Sequence, residues 1–249
     1  MKPIKEANRL TSIWRTAGPR AYPICLQDVV REIVNRSSDG DELQIEFREL
    51  DEFDGALVKT GQKTWCAIVN SRIASSGRRN FTLAHEIGHF IGHRHLAEEF
   101  RDTHEHMHQF GIEGLEAEAN NFAAQLLMPQ DEVRGFAVGE FTIHNLEALR
   151  NHLDVSWQAA GLRWVEVSDR EVGFVVARDG MVNWGRASRK ALENGIFFRS
   201  ASETPENSPS LLATAGLKFR ADHDRGEWHN LFRCKESGYR TLSHDFTSA

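Results

Sequence analysis

Apolar positions recur at helical spacing over much of this chain and alternate in two shorter regions, and that rhythm predicts its elements. Residues 4–17 carry Leu10, Ile13 and Trp14 on one helical face and close at Gly18-Pro19. A second stripe, Leu26, Val29, Val30, Ile33 and Val34, predicts another helix that SSDGD breaks. From Leu43 to Arg48 the pattern switches to alternation, and DEFDG and KTGQK punctuate two further strands, one of them Thr64 to Asn70. A small antiparallel sheet is thus expected ahead of a long helix. RIASSGRRN reads as a loop, with Asn80 or Thr82 as the cap of the helix that follows, and that helix is expected to end near His95.

That helix holds TLAHEIGHFIGH (82–93), in which Phe81, Ala84, Gly88 and Ile91 form an apolar row beside a histidine row. Residues i and i+4 share a helix face, so His85 and His89 can close on one ion. Glu86 lies beside that pair, where it can take a proton from a metal-activated water. Bare His-Glu-x-x-His is only moderately specific, and the alternative is a core helix whose histidines are satisfied by hydrogen bonds. The apolar row favours the metal site.

Residues 114–128 form the next predicted helix, limited by Pro129. The row Glu116, Asn120, Ala123, Leu127 points inward, while Glu118, Asn121 and Gln125 read as facing water. Periodicity therefore selects Glu116 as third ligand, with Asn120 orienting that carboxylate or an imidazole. Two His and one Glu leave a fourth position open, the arrangement of a catalytic zinc site capable of peptide hydrolysis. Between the two helices, His104, His106 and His108 read as a solvated loop, the alternative being an oxyanion or substrate contact.

Beyond residue 130 the chain is mostly helical to 165, and HLDVSWQAAGLRW has the form of helix, turn, helix. It reads as packing rather than DNA recognition, because the second helix offers few basic or amide side chains. From Val165 the pattern VEVSDREVGFVVARDGMVNWG predicts strands, and the stretch 166–249 reads as a smaller α+β module. ASETPENSPS reads as an exposed loop, and Trp228, Leu231 and Phe232 as packing for the last segment.

Composition adds exclusions. The 249 residues carry a net charge of −6, uneven between halves: 16 basic against 23 acidic residues before 150, 14 against 13 after. Neither half has the basic footprint of a dedicated nucleic-acid binder. No apolar run suits a membrane span or signal peptide, which leads to the expectation of a cytoplasmic protein with no membrane partner. Cys25, Cys66 and Cys234 are odd in number and widely spaced, which argues against a disulfide framework.

RRNFTLAHEIGHFIGH (78–93) followed by EAEANNFAAQLLMP (116–129) resembles the ImmA/IrrE family of metallopeptidases, as do DGALV (54–58) and AIVNSR (67–72). The resemblance covers about 25–165. It implies an α+β fold, a mainly helical zincin-like core over 1–165 and a smaller α+β C-terminal module over 166–249, with His85, His89 and Glu116 as zinc ligands and Glu86 as catalytic glutamate. It also implies a site-specific zinc endopeptidase that cleaves a helix-turn-helix transcriptional repressor in a stress, mobile-element or phage-defence response. No helix-turn-helix precedes the metal helix here, so the repressor is expected on a separate chain. The C-terminal module is similar to sensor-like regions of some members, with a nucleic acid or small molecule as the signal. The other reading is a sensor or regulator binding DNA or a protein through residues 140–249, its zinc site structural or inactive. Such peptidases hold substrate along an edge strand, for which Thr64–Asn70 is the candidate. A thiol of Cys66 or Cys234 occupying the water position is a further expectation, set against the plainer reading of small buried apolar thiols.

Overall fold

The computed structural model describes residues 3–102, 114–178 and 181–198. His104, His106, His108, ASETPENSPS, Trp228, Leu231, Phe232 and Cys234 lie outside them. The fold is α+β, as expected, and the chain divides into two compact units: residues 1–129 with 150–156, and 130–149 with 157–248.

The first unit opens with α1 (Pro3–Ala17) and α2 (Leu26–Val29), the latter continuing as a π turn, Val30–Val34, and a 3-10 turn, Asn35–Ser37. Three strands follow, β1 (Glu42–Arg48), β2 (Gly55–Lys59) and β3 (Thr64–Asn70), then α3 (Ser76–His93), β4 (Glu99–Asp102) and α4 (Leu115–Leu127). Sheet order is β1-β3-β2-β4. Because β2 and β3 form a hairpin and β1 pairs with β3 in parallel, the sheet is mixed rather than antiparallel. Alternation reports which face a residue occupies, not which strand lies beside it.

This order also corrects the candidate for substrate binding. β3 is hydrogen-bonded on both sides, to β1 and β2, so Thr64–Asn70 is not an edge. Among the described residues the edges are β1 and β4, and β4 pairs only with β2.

Buried polar groups fix the loops around this sheet. Asn70 is 7% exposed; its amide nitrogen donates to the carbonyls of Leu50 (2.8 Å) and Phe53 (3.0 Å), and its oxygen accepts from the N–H of Arg72 (3.0 Å). Asp54, fully buried before β2, accepts from Nε and Nη2 of Arg78 in the first turns of α3, the Nε bond being 2.9 Å. These contacts explain why α3 begins earlier than expected. Ser75 caps it, accepting from the Arg78 N–H at 3.4 Å, and both Ser76 (2.6 Å) and Asn80 (3.0 Å) donate to Asp154. Asn80 and Thr82 are therefore inside the helix, which ends at His93.

α3 packs on the sheet through Trp65, whose ring lies 6.3 Å from that of Phe90, and α4 packs on α3. A Cβ on Gly88 would stand 3.0 Å from the Phe122 ring and 3.2 Å from the Ala119 Cα, so the missing side chain is what lets the two helices close. On the far side of α4, Gln125 is buried and donates to Asn8 of α1 at 2.7 Å, which overturns its assignment to water.

The second unit contains α5 (Gln130–Ala137), the start of α6 (Ile143–Leu153), α7 (Trp157–Val167), a hairpin of β5 (Gly173–Arg178) and β6 (Met181–Ala187), and α8 (Arg189–Glu193). Thr142 caps α6, accepting from the Asn145 N–H at 3.1 Å. Val165 to Val167 are the last turn of α7 rather than a strand, since Val165 and Val167 are buried with Trp164 on the helix. Phe174 lies where a Cβ on Gly161 would stand 2.6 Å from its ring, so this glycine admits the hairpin against α7. No helix among the described residues is long and apolar enough to cross a membrane.

Candidate metal centre

The ligand atoms of His85, His89 and Glu116 lie within 4.8 Å of one another. The two Nε2 atoms are 2.9 Å apart, and Glu116 brings one carboxylate oxygen to 3.2 Å from His85 Nε2 and the other to 3.4 Å from His89 Nε2. Ligands at about 2.0–2.1 Å around a tetrahedral zinc stand roughly 3.3 Å apart, so the spacing suits such an ion. Both imidazoles are buried, and Glu116 is 27% exposed.

Protons decide what this cluster can hold. Asn120 is buried, and its Oδ1 lies 3.0 Å from His85 Nδ1; an amide oxygen only accepts, so His85 carries its proton on Nδ1 and turns the Nε2 lone pair inward. On the other histidine, His89 Nδ1 lies 3.0 Å from His93 Nδ1, and His93 Nε2 lies 3.3 Å from a Glu118 oxygen. The carboxylate accepts from His93 Nε2, which leaves His93 Nδ1 to accept from His89 Nδ1. His89 then also presents a lone pair at Nε2. Two lone pairs and a carboxylate around one point repel one another unless a cation lies between them, and a divalent ion satisfies all three. The donor set fits zinc.

The charges follow from these contacts. Burial works to raise the Glu116 carboxyl pKa, but its contacts with the His85 and His89 imidazoles outweigh that and hold it well below the ordinary carboxylate range, so it supplies the negative charge that a cation would balance. Burial pushes the His93 pKa down, against the pull of Glu118, which favours the neutral ring that the bonding pattern requires.

Glu86 is fully buried on α3. The start of β2 crosses so close that a Cβ on Gly55 would stand 2.6 Å from Glu86 Oε1 and 2.5 Å from the Thr82 methyl. A side chain at position 55 must displace one of them. Gly55→Ala is expected to destabilise the fold by about 1–3 kcal/mol through overpacking, and to lower peptidase activity while zinc content stays near that of wild type. Thermal melting, metal analysis and a cleavage assay check this. A variant with wild-type activity would show that Glu86 tolerates displacement.

Phe100 of β4 closes the other side, stacked on His89 with ring centroids 4.7 Å apart and planes at 22°. The structure thus brings together His85, His89, Glu116 and Asn120, with Glu86 on the same helix. Gly55, His93, Phe100 and Glu118 join them, though the sequence reading did not assign them. His93 was visible as a third histidine one further turn along α3. β4, only four residues long in a charged stretch, carried no such signal.

Cys66 does not join the cluster. Trp65 and Gly55 face α3, so alternation along β2 and β3 turns Cys66 to the opposite face of the sheet. Burial, with the Glu46 charge adding to it, pushes its thiol pKa up to about 11. The expected inhibitory thiolate is therefore corrected for Cys66: it is a buried, protonated packing group. Native protein at pH 8 is expected to protect Cys66 from iodoacetamide, with peptide mapping as the check, and Cys66→Ala should leave basal proteolysis unchanged.

The family model for the IrrE N-terminal-like domain, a peptidase family, matches residues 41–165, half of the chain. The chain belongs to this family. No curated protein matches it. An IrrE-like domain makes the chain a peptidase, with protein as its substrate, and peptidases of this family typically depend on a metal. The match contains both helices of the His-His-Glu cluster.

Proposed function

We propose that this IrrE-like protein is a zinc-dependent, site-specific endopeptidase whose substrate is a helix-turn-helix transcriptional repressor, cleaved to relieve repression. The convergence of His85, His89 and Glu116 inside the matched domain is the observation that carries this reading. His85, His89 and Glu116 would hold zinc, and Asn120 would fix the His85 tautomer. When bound, zinc supplies Lewis acidity and makes water a stronger acid.

Glu86 would take the proton from the attacking water and deliver it to the leaving amine nitrogen. Its burial keeps competing water from the proton path. The peptide would lie extended along the outer edge of β4, which among the described residues pairs only with β2 and so could take an added strand. Phe100 points from that strand to His89, so an added strand would run past the ligand cluster. Residues 166–249 are assigned to sensing the inducing signal.

The test is incubation of the full chain, zinc and the repressor encoded beside it, with fragments mapped by mass spectrometry. Cleavage at one bond, abolished by a chelator and restored by zinc, supports the reading. Comparable cleavage of unrelated unfolded proteins, or an intact repressor under all conditions, overturns it.

A further inference from the structure

We propose that His93 and Glu118 are positioning residues that hold His89 in its metal-binding tautomer, an inference resting on the ligand set proposed above. The histidine row of α3 has three members, 85, 89 and 93, and the third is as well buried as the other two, at 3% exposed. His93 does not face the ligand cluster. Its Nδ1 lies 3.0 Å from the outward nitrogen of His89, and its Nε2 lies 3.3 Å from Glu118 Oε2.

The direction of the bonds follows from the end of the chain. A carboxylate has no proton to give, so Glu118 accepts from His93 Nε2, and His93 Nδ1 accepts from His89 Nδ1. His89 is left with its lone pair on Nε2, the atom that faces His85 and Glu116. Without this acceptor an imidazole can place its proton on either nitrogen, and one of the two tautomers cannot bind the ion. The polarised chain also makes His89 a stronger donor to a metal.

Phe100 completes the arrangement. Its ring stacks on His89 and lies 6.2 Å from that of His93, so it shields the contact between the two imidazoles on that side. The two ligand histidines are thus held differently. His85 rests on the neutral amide of Asn120, whereas the His89 chain ends on Glu118, whose side chain is 43% exposed.

The experiment is zinc affinity by chelator competition for wild type, His93→Leu, His93→Asn and Glu118→Ala, with thermal melting of each metal-free protein. His93→Leu fills the space but offers no acceptor, and is expected to bind zinc about 10–100-fold more weakly. His93→Asn puts a carbonyl oxygen near the Nδ1 position and should recover most of that loss, which a purely packing role would not predict. Glu118→Ala should weaken zinc less than His93→Leu, with little change in melting temperature because that side chain is partly solvated. If His93→Leu does not fold, Glu118→Ala and His93→Asn decide the question. Wild-type affinity in every folded variant overturns the relay and leaves the ligand set standing, whereas failure of wild type itself to bind zinc overturns the ligand set.

Discussion

Glu86→Gln is expected to keep zinc at one per chain and to lose cleavage by about 10²–10⁴-fold, the range that a positioned general base contributes. At 1.36 kcal/mol per decade, that is roughly 3–5 kcal/mol on the barrier. The substitution changes one oxygen to an amide nitrogen, so a side chain fully buried beneath Gly55 keeps its shape. What it loses is the ability to take a proton. Metal analysis and the repressor-cleavage assay on the same preparation separate these effects. If zinc falls together with activity, Glu86 serves the site's architecture rather than the proton transfer. Unchanged activity would place the base elsewhere.

The parts of the site that could be read from the sequence are those set by helical period. His85, Glu86 and His89 are fixed relative to one another by one turn of backbone, and the inward row of α4 points to Glu116 and Asn120, the two residues of that helix that lie against His85. The same reasoning sends Glu118, Asn121 and Gln125 to water, and it fails for Gln125, while Glu118 is half-exposed and touches His93 besides. Gln125 meets Asn8 of α1 and Glu118 meets His93, because polar residues on a helix face can be covered by partners from distant sequence. Period shows which residues share a face, not what stands opposite.

The sheet carries the same lesson. Its strands were legible, but their order depends on backbone pairing that alternation does not encode, so β3 was mistaken for an edge. α3 started early for a comparable reason: Arg78 binds Asp54 and both Ser76 and Asn80 bind Asp154, contacts that secure a first turn with few apolar residues. Gly55 mattered through the space it leaves, and a sequence shows only that a glycine is there.

The second large effect is expected for Glu116→Ala. Removing this carboxylate leaves His85 and His89 as two neutral donors on one helix, with no negative charge to offset the ion and no donor from α4. Loss of an outer partner costs about 10–100-fold in metal affinity, so loss of a charged ligand should exceed that, and zinc should not survive dialysis. Glu118→Ala is the control on the same helix, expected to keep zinc at reduced affinity. Glu116→Gln separates charge from shape: it can still place an oxygen between the imidazoles, and should bind more weakly than wild type but better than Glu116→Ala. If Glu118→Ala instead loses zinc entirely while Glu116→Ala keeps it, α4 presents its other carboxylate to the metal and the assignment reverses. The geometry argues against that outcome, since both Glu116 oxygens reach toward the inward nitrogens of His85 and His89 while Glu118 touches His93 on its far side.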